Sequence, residues 1–201
     1  MKKNNIILAS SSLSRKKILK NTGLVFTRVN PKINEDVFKN ELIKKKESPK
    51  RISKELAKLK CTSISTKLKE HIVIGCDTTI DLNKKLLNKA KNKTDARKKL
   101  NQLSGKKHKI FTSVIIMKNK KILWTHSEKT EIWVRKLNKK NIEYYLKKNK
   151  KNILKSVGCY EAEKMAPYIF KKINGDFYNV MGLPILQLLN YIRIKKIGVF
   201  K

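Results

Sequence analysis

Disulfide and zinc chemistry find almost nothing to use in this chain of 201 residues. Its three cysteines, Cys61, Cys76 and Cys159, are widely spaced with no C-x-x-C pair. His71, His108 and His126 offer neither H-x-x-x-H nor mixed Cys/His spacing, so no structural zinc is indicated. Long apolar runs are also missing. Ile6 to Ala9, behind the basic Met1-Lys2-Lys3, is too short for a signal-peptide core, and nothing approaches the roughly 20 apolar residues of a membrane span. A soluble, unprocessed, cytoplasmic protein with reduced thiols and no membrane partner is expected. Acidic residues are scarce: 15 Asp and Glu stand against 50 Lys and Arg, a formal net charge of +35. Lysine supplies nearly all of that excess, spread over every segment with asparagine and isoleucine, as AT-rich codons would spread it. Gly-Arg runs and aromatic-basic interleaving, which stack on bases, are absent. The excess therefore reads as solvated background that attracts phosphorylated substrates, with no specific nucleic-acid partner. There is no internal repeat, low-complexity linker or composition shift. Residues 1–201 are expected to form a single domain, long enough to bury a full core or to divide into two small lobes sharing a cleft.

Against this background, the stretch Ile72-Val73-Ile74-Gly75-Cys76-Asp77-Thr78-Thr79-Ile80 organises the chain. Apolar, β-branched residues run without alternation to a glycine, and a lone acid interrupts them, as in a buried strand whose end delivers one carboxylate to a cleft. Asp77 is then a base if burial raises its pKa, a metal ligand if a cation lowers it, or a turn aspartate satisfied by backbone N–H groups.

Asn5 to Ala9 reads as a first strand, followed by Ser10-Ser11-Ser12-Leu13-Ser14 and a basic helix from Arg15 to Asn21. That plan suits an anion site, with hydroxyls and N–H groups at a helix start and Arg15 in its first turn; it equally suits an ordinary serine cap. Leu24 to Val29 is a second strand, ending at Asn30-Pro31 and the acidic pair Glu35-Asp36. A helix is expected over 49–68, whose lysines read individually as surface. Asp81 to Lys85 forms a hairpin turn, Thr94 caps a helix to Leu103, strands cover 109–117 and 122–133, and a helix covers 138–148. Asn174-Gly175 between β-rich runs predicts a type I′ hairpin over 168–180, and Pro184 opens a last helix.

Five stretches, Leu8-Ala9-Ser10-Ser11-Ser12-Leu13-Ser14-Arg15, Leu56-Ala57-Lys58-Leu59-Lys60, Gly75-Cys76-Asp77-Thr78, Leu103 to His108 and Ile173 to Pro184, together resemble the Maf family of nucleoside triphosphate pyrophosphatases, also called septum formation inhibitors. Each motif is weak alone, but their order and spacing cover nearly the whole chain. The family's first loop reads L-A-S-x-S-P-R-R; Ser10, Ser12 and Arg15 match, Leu13 replaces the proline, and Ser14 replaces the first arginine, leaving Arg15 as the phosphate arginine. Glu35 falls at the acid after the second strand, Lys60 at the lysine of L-A-x-x-K, and Asp77 at the proton acceptor. Lys89 falls at the lysine of a G-K-P triplet, with Asn88 and Ala90 as its neighbours here.

The resemblance implies an α/β fold with a Maf/ITPase-like mixed sheet, flanking helices and two lobes around a central cleft, in a homodimer linked to arrest of cell division. It also implies a hydrolase that converts a nucleoside triphosphate to its monophosphate and pyrophosphate. Asp77, Lys60 and Lys89 would be catalytic, and Ser10, Ser12, Ser14, Arg15, Thr78 and Glu163 would bind substrate. Glu35 and Asp77 would hold Mg²⁺ or Mn²⁺ through oxygen ligands. Cys76, beside Asp77, reads as a small core residue, since phosphoryl transfer needs no covalent nucleophile. Thr78 resembles the branch acting on dTTP and UTP, Glu163 the branch acting on 7-methyl-GTP, and Ser14 neither, so the preferred base stays open. The rival reading is a basic nucleic-acid-binding protein on a degenerate Maf scaffold, which would have no need of two acids in a cleft.

Overall fold

The computed structural model describes residues 5–149 and 152–200. The basic Met1-Lys2-Lys3 lies outside the described residues. Among the described residues, seven strands form one mixed sheet in the order β2-β1-β3-β5-β6-β7, with β4 paired to β3 beside this path. The strands are β1 (Ile6–Ala9), β2 (Phe26–Val29), β3 (Ile72–Leu82), β4 (Lys85–Leu87), β5 (Lys107–Lys118), β6 (Lys121–Val134) and β7 (Phe170–Asn174). β1 runs parallel to both β2 and β3, whereas β3/β4 and β6/β7 are antiparallel. The helices are α1 (Leu13–Lys20), α2 (Glu35–Lys44), α3 (Pro49–Ser65), α4 (Lys93–Leu103), α5 (Lys139–Asn149), the single turns α6 (Ala166–Ile169) and α7 (Phe177–Val180), and α8 (Ile185–Ile194). No helix among the described residues is long and apolar enough to cross a membrane. The chain divides into two compact units: Met1–Thr78 with Thr112–Glu128 and Gly182–Lys201, and Thr79–Phe111 with Lys129–Met181.

In the first unit, side-chain alternation sorts the strands into two buried faces. Ile7 and Ala9 of β1, Val73 of β3, and Ile115 and Met117 of β5 pack with Ala57, Cys61 and Ile64 of α3. The intervening residues point the other way, where a side chain at Gly198 would meet Ile6, Leu24 and Ile192, so α8 covers that face. Both faces are dry, which is why β1 and the start of β3 read as unbroken apolar runs. In the second unit, Ile80, Leu100, Leu103, Ile110, Tyr145, Leu146, Ile169 and Phe170 belong to one core with α4, α5 and α6 around it.

Three expectations are corrected, and one helix goes unannounced in the sequence. β3 does not end near Asp77; threonines 78 and 79 keep it extended to Leu82, and Asp77 sits inside an 11-residue strand. Asn92, not Thr94, caps α4, its side chain accepting from the Asp95 N–H. The acidic pair opens a helix, α2, which Asn34 caps by accepting from Val37 N–H; with Leu42 as its one buried residue it lacks the apolar periodicity that announces a helix. The 168–180 hairpin does not form. Past Gly175 the chain turns helical, because Asp176 caps Tyr178 N–H while Thr130 Oγ1 of β6 donates to Asp176 O at 3.0 Å and accepts from Asn179 Nδ2 at 2.9 Å. A Cβ on Gly175 would stand 2.9 Å from that Thr130 hydroxyl, so glycine serves close approach to β6 rather than a two-residue turn.

His108 is buried in the second unit, with Nε2 2.8 Å from the Tyr160 hydroxyl. Burial disfavours the imidazolium and pushes its pKa from 6.5 down to about 4. The native state therefore refuses a proton that the unfolded chain accepts, so this group's contribution to stability is complete above pH 6.5 and is lost as pH falls towards 4. Urea titrations across that range are expected to show a loss of about 3 kcal/mol from this group, and in His108→Phe the corresponding slope disappears.

Candidate functional site

Close backbone approach builds the first cluster. A Cβ on Gly75 would lie 2.5 Å from Ala57 O and 3.0 Å from Cys61 N, so only glycine lets α3 settle this near β3. Asp77, two residues on, faces the same side, and Lys60, one residue before Cys61, reaches it across the short gap. Lys60 Nζ lies 2.6 Å from Asp77 Oδ1 and 2.7 Å from Glu35 Oε2. Lys60 and Asp77 are 5% and 8% exposed, whereas the Glu35 side chain, from the first residue of α2, is 42% exposed. Two carboxylates thus share one ammonium, leaving a net single negative charge that opens to solvent on the Glu35 side. Lysine 60, read from the sequence as one surface lysine among many apart from the family motif, is the best-buried charged group of this cluster.

The second cluster lies on the opposite face of β3. Arg15, buried in the first turn of α1, donates from Nε to Gly182 O (2.7 Å), from Nη1 to Cys76 O (2.9 Å) and Ser10 Oγ (3.3 Å), and from Nη2 to Thr78 Oγ1 (2.9 Å). Four of the five guanidinium N–H donors are thereby spent on protein acceptors. Thr78 Oγ1 also bonds Thr112 Oγ1 at 3.0 Å. Ser12 caps α1, accepting from Arg15 N–H, and its own N–H donates to Ser10 Oγ at 3.2 Å. Ser14 stands partly exposed in the same turn. The serine loop is therefore an ordinary cap in its hydrogen bonding, tied down by an arginine that reaches back to two other segments.

Cys76 belongs to this second face and donates to Gly182 O at 3.2 Å. Burial raises its thiol pKa and pushes that of Cys61 up to about 12, which favours the thiol form at both positions, as in small core residues. Lys89 and Glu163 are exposed residues of the second unit. Lys89 borders a polar depression of about 430 Å³ with Asn88, Lys91, Lys98 and Lys99.

Sequence reasoning passed over Thr112 and Ser113, which interrupt the apolar run of β5. Thr112 meets Thr78. On the α3 face, Ser113 Oγ lies 2.7 Å from Ser53 and 2.8 Å from Ser127. Ser53 commits its proton to Lys50 O at 2.9 Å, so Ser113 must donate to Ser53 and Ser127 to Ser113. Two hydroxyls inside an otherwise apolar strand are the signal that could have found this buried polar row.

Gly75→Ala is expected to cost about 2–3 kcal/mol through forced separation of α3 from β3. Urea denaturation measures it, and a loss below about 0.5 kcal/mol would refute the close-packing argument.

A family model described as Maf-like protein matches residues 5–194. A nucleoside triphosphate pyrophosphatase of Caulobacter vibrioides is 35% identical over 94% of this chain and 94% of its own length. One of Pelagibacter ubique is 38% identical over 95% and 98%, and a 7-methyl-GTP pyrophosphatase of Bartonella quintana is 34% identical over 99% and 98%. With both its buried clusters built from the motif residues and with similarity running the length of each relative, this chain belongs to the Maf family.

Proposed function

We propose that this protein hydrolyses nucleoside triphosphates between the α and β phosphates, releasing the monophosphate and pyrophosphate. The observation that carries this reading is the buried Lys60 ammonium shared by Asp77 and Glu35, in a family whose relatives bear pyrophosphatase names. A triphosphate brings about four negative charges, and its cleavage requires those charges to be held while a water attacks in line. Lys60 is a mobile point charge for phosphate oxygens. Asp77, fixed inside a strand, is the rigid acceptor for the water's proton. Arg15 sets the Ser10–Ser14 loop by its bonds to Cys76 O, Thr78 and Gly182 O, and the hydroxyls and N–H groups of that loop offer hydrogen bonds to phosphate. Lys89 supplies a further cation.

Glu35 and Asp77 offer the oxygen donors that a divalent cation takes. No group of three or more His, Cys, Asp or Glu able to hold a metal occurs among the described residues, and Mg²⁺ or Mn²⁺ is commonly bound through one or two carboxylates completed by water and substrate phosphates. Glu35 and Asp77 would hold it, and when bound it would neutralise phosphate charge and polarise the attacking water. The protein is proposed to act as a homodimer, without a specific nucleic-acid partner.

Asp77→Asn keeps the shape and removes the charge. Pyrophosphate release from a panel of canonical and modified triphosphates, with Mg²⁺ and with Mn²⁺, is expected to fall about 10²–10⁴-fold in this variant; wild-type turnover would reject the assignment.

For the base, Glu163 is the residue proposed to discriminate. A carboxylate accepts from a purine N–H edge and gains from a ring made cationic by methylation, whereas glutamine suits the mixed donor and acceptor edge of uracil or thymine. Thr78, which resembles the other branch, has its hydroxyl engaged by Arg15 and Thr112, which weakens its claim as a base reader. Glu163→Gln is expected to shift the kcat/KM ratio of 7-methyl-GTP to UTP by about 10- to 150-fold. An unchanged ratio removes Glu163 from base recognition.

A further inference from the structure

We propose that the Lys60 ammonium is a resident counter-ion that guards the carboxylate pair, so that a divalent cation enters only when a polyphosphate draws the ammonium away. The inference rests on the triphosphate reading above and concerns the order in which that site fills. Nζ stands 2.7 Å from Glu35 Oε2 and 2.6 Å from Asp77 Oδ1, so one ammonium engages an oxygen of each carboxylate that would otherwise receive the metal. Both contacts are at the short end for charge-assisted hydrogen bonds. A divalent ion approaching that pair meets a cation already in the space it needs and a cluster of only one net negative charge.

Burial makes the arrangement selective. Asp77 is 8% exposed, and a buried carboxylate stripped of its partner is costly, so the ammonium does not leave for bulk water. A polyphosphate changes the balance, because its oxygens give the ammonium a new anionic partner as the metal gives the carboxylates a new cation. Lysine suits such an exchange better than arginine, having a compact charge on a flexible stem with no fixed fork. The half-exposed Glu35 provides the side from which both arrive. Polyphosphate and metal then favour each other's binding, by the reciprocity that holds for any pair of coupled ligands.

Mn²⁺ binding to the nucleotide-free protein tests this without any turnover, by counting free Mn²⁺ in its paramagnetic resonance spectrum. The wild type is expected to hold Mn²⁺ only weakly, with Kd on the order of 1 mM or above. Lys60→Met should bind about tenfold tighter or more, as removal of a unit charge beside a divalent ion requires, and Lys60→Met/Asp77→Asn should lose the gain, which places the ion at this pair. Lys60→Gln, which keeps a hydrogen-bond donor without the charge, stands in if the methionine variant does not fold. Micromolar Mn²⁺ binding by the nucleotide-free wild type overturns the proposal, as does a folded Lys60 variant that gains no affinity. Absence of pyrophosphate release from every triphosphate tested would reject the proposed function, whereas normal release with no gain in Mn²⁺ affinity rejects only the guarding role.

Discussion

The contact between Gly75 and the backbone of α3 is the constraint from which the rest of the first cluster follows. Removing a single Cβ lets Ala57 O and Cys61 N approach β3 to a distance that no other residue permits. At that spacing a lysine one position before Cys61 can span to an aspartate two positions after Gly75, and both members of the pair are buried. Low dielectric then makes the pairing strong and its loss expensive. Glu35 reaches the same ammonium from the start of α2, where the helix dipole favours an acid.

The two faces of β3 divide the work. Odd-numbered residues of the Gly75–Asp77 segment meet α3 and hold the acid–lysine chemistry. Even-numbered Cys76 and Thr78 meet Arg15 and Gly182, whose bonds set the serine loop. A one-residue slip of β3 would exchange the two sets and abolish both clusters. Parallel pairing with β1 fixes the register, placing Ala9 opposite Gly75 and so bringing the loop after β1 to the level of Asp77.

Much of this was legible in the residues. Dry strands announce themselves as unbroken β-branched runs, and the isolated Gly75 and Asp77 inside one such run mark close packing and a buried acid. The Maf resemblance identified Lys60 among dozens of lysines, which composition alone could not do. The illegible parts share one physical cause, long-range partners that outweigh local preference. Asn174-Gly175 has hairpin chemistry, yet Thr130, 46 residues from Asp176, pulls the chain into a helical turn. Arg15 has the position of a phosphate arginine, yet four of its five donors are taken by Ser10, Cys76, Thr78 and Gly182. Glu35 opens a helix whose exposed surface carries no periodic signal.

The Arg15 to Gly182 bond links residues 167 positions apart. During synthesis, the anchor of the first loop stays missing until Gly182, 167 residues downstream of Arg15, has been made, and α8 follows it. Until then a guanidinium destined for burial waits in water, and the sheet face that α8 covers is bare. Until α8 is made the nascent chain thus carries an open apolar surface, and its lysine-rich exterior, by mutual repulsion between copies, keeps such incomplete chains apart.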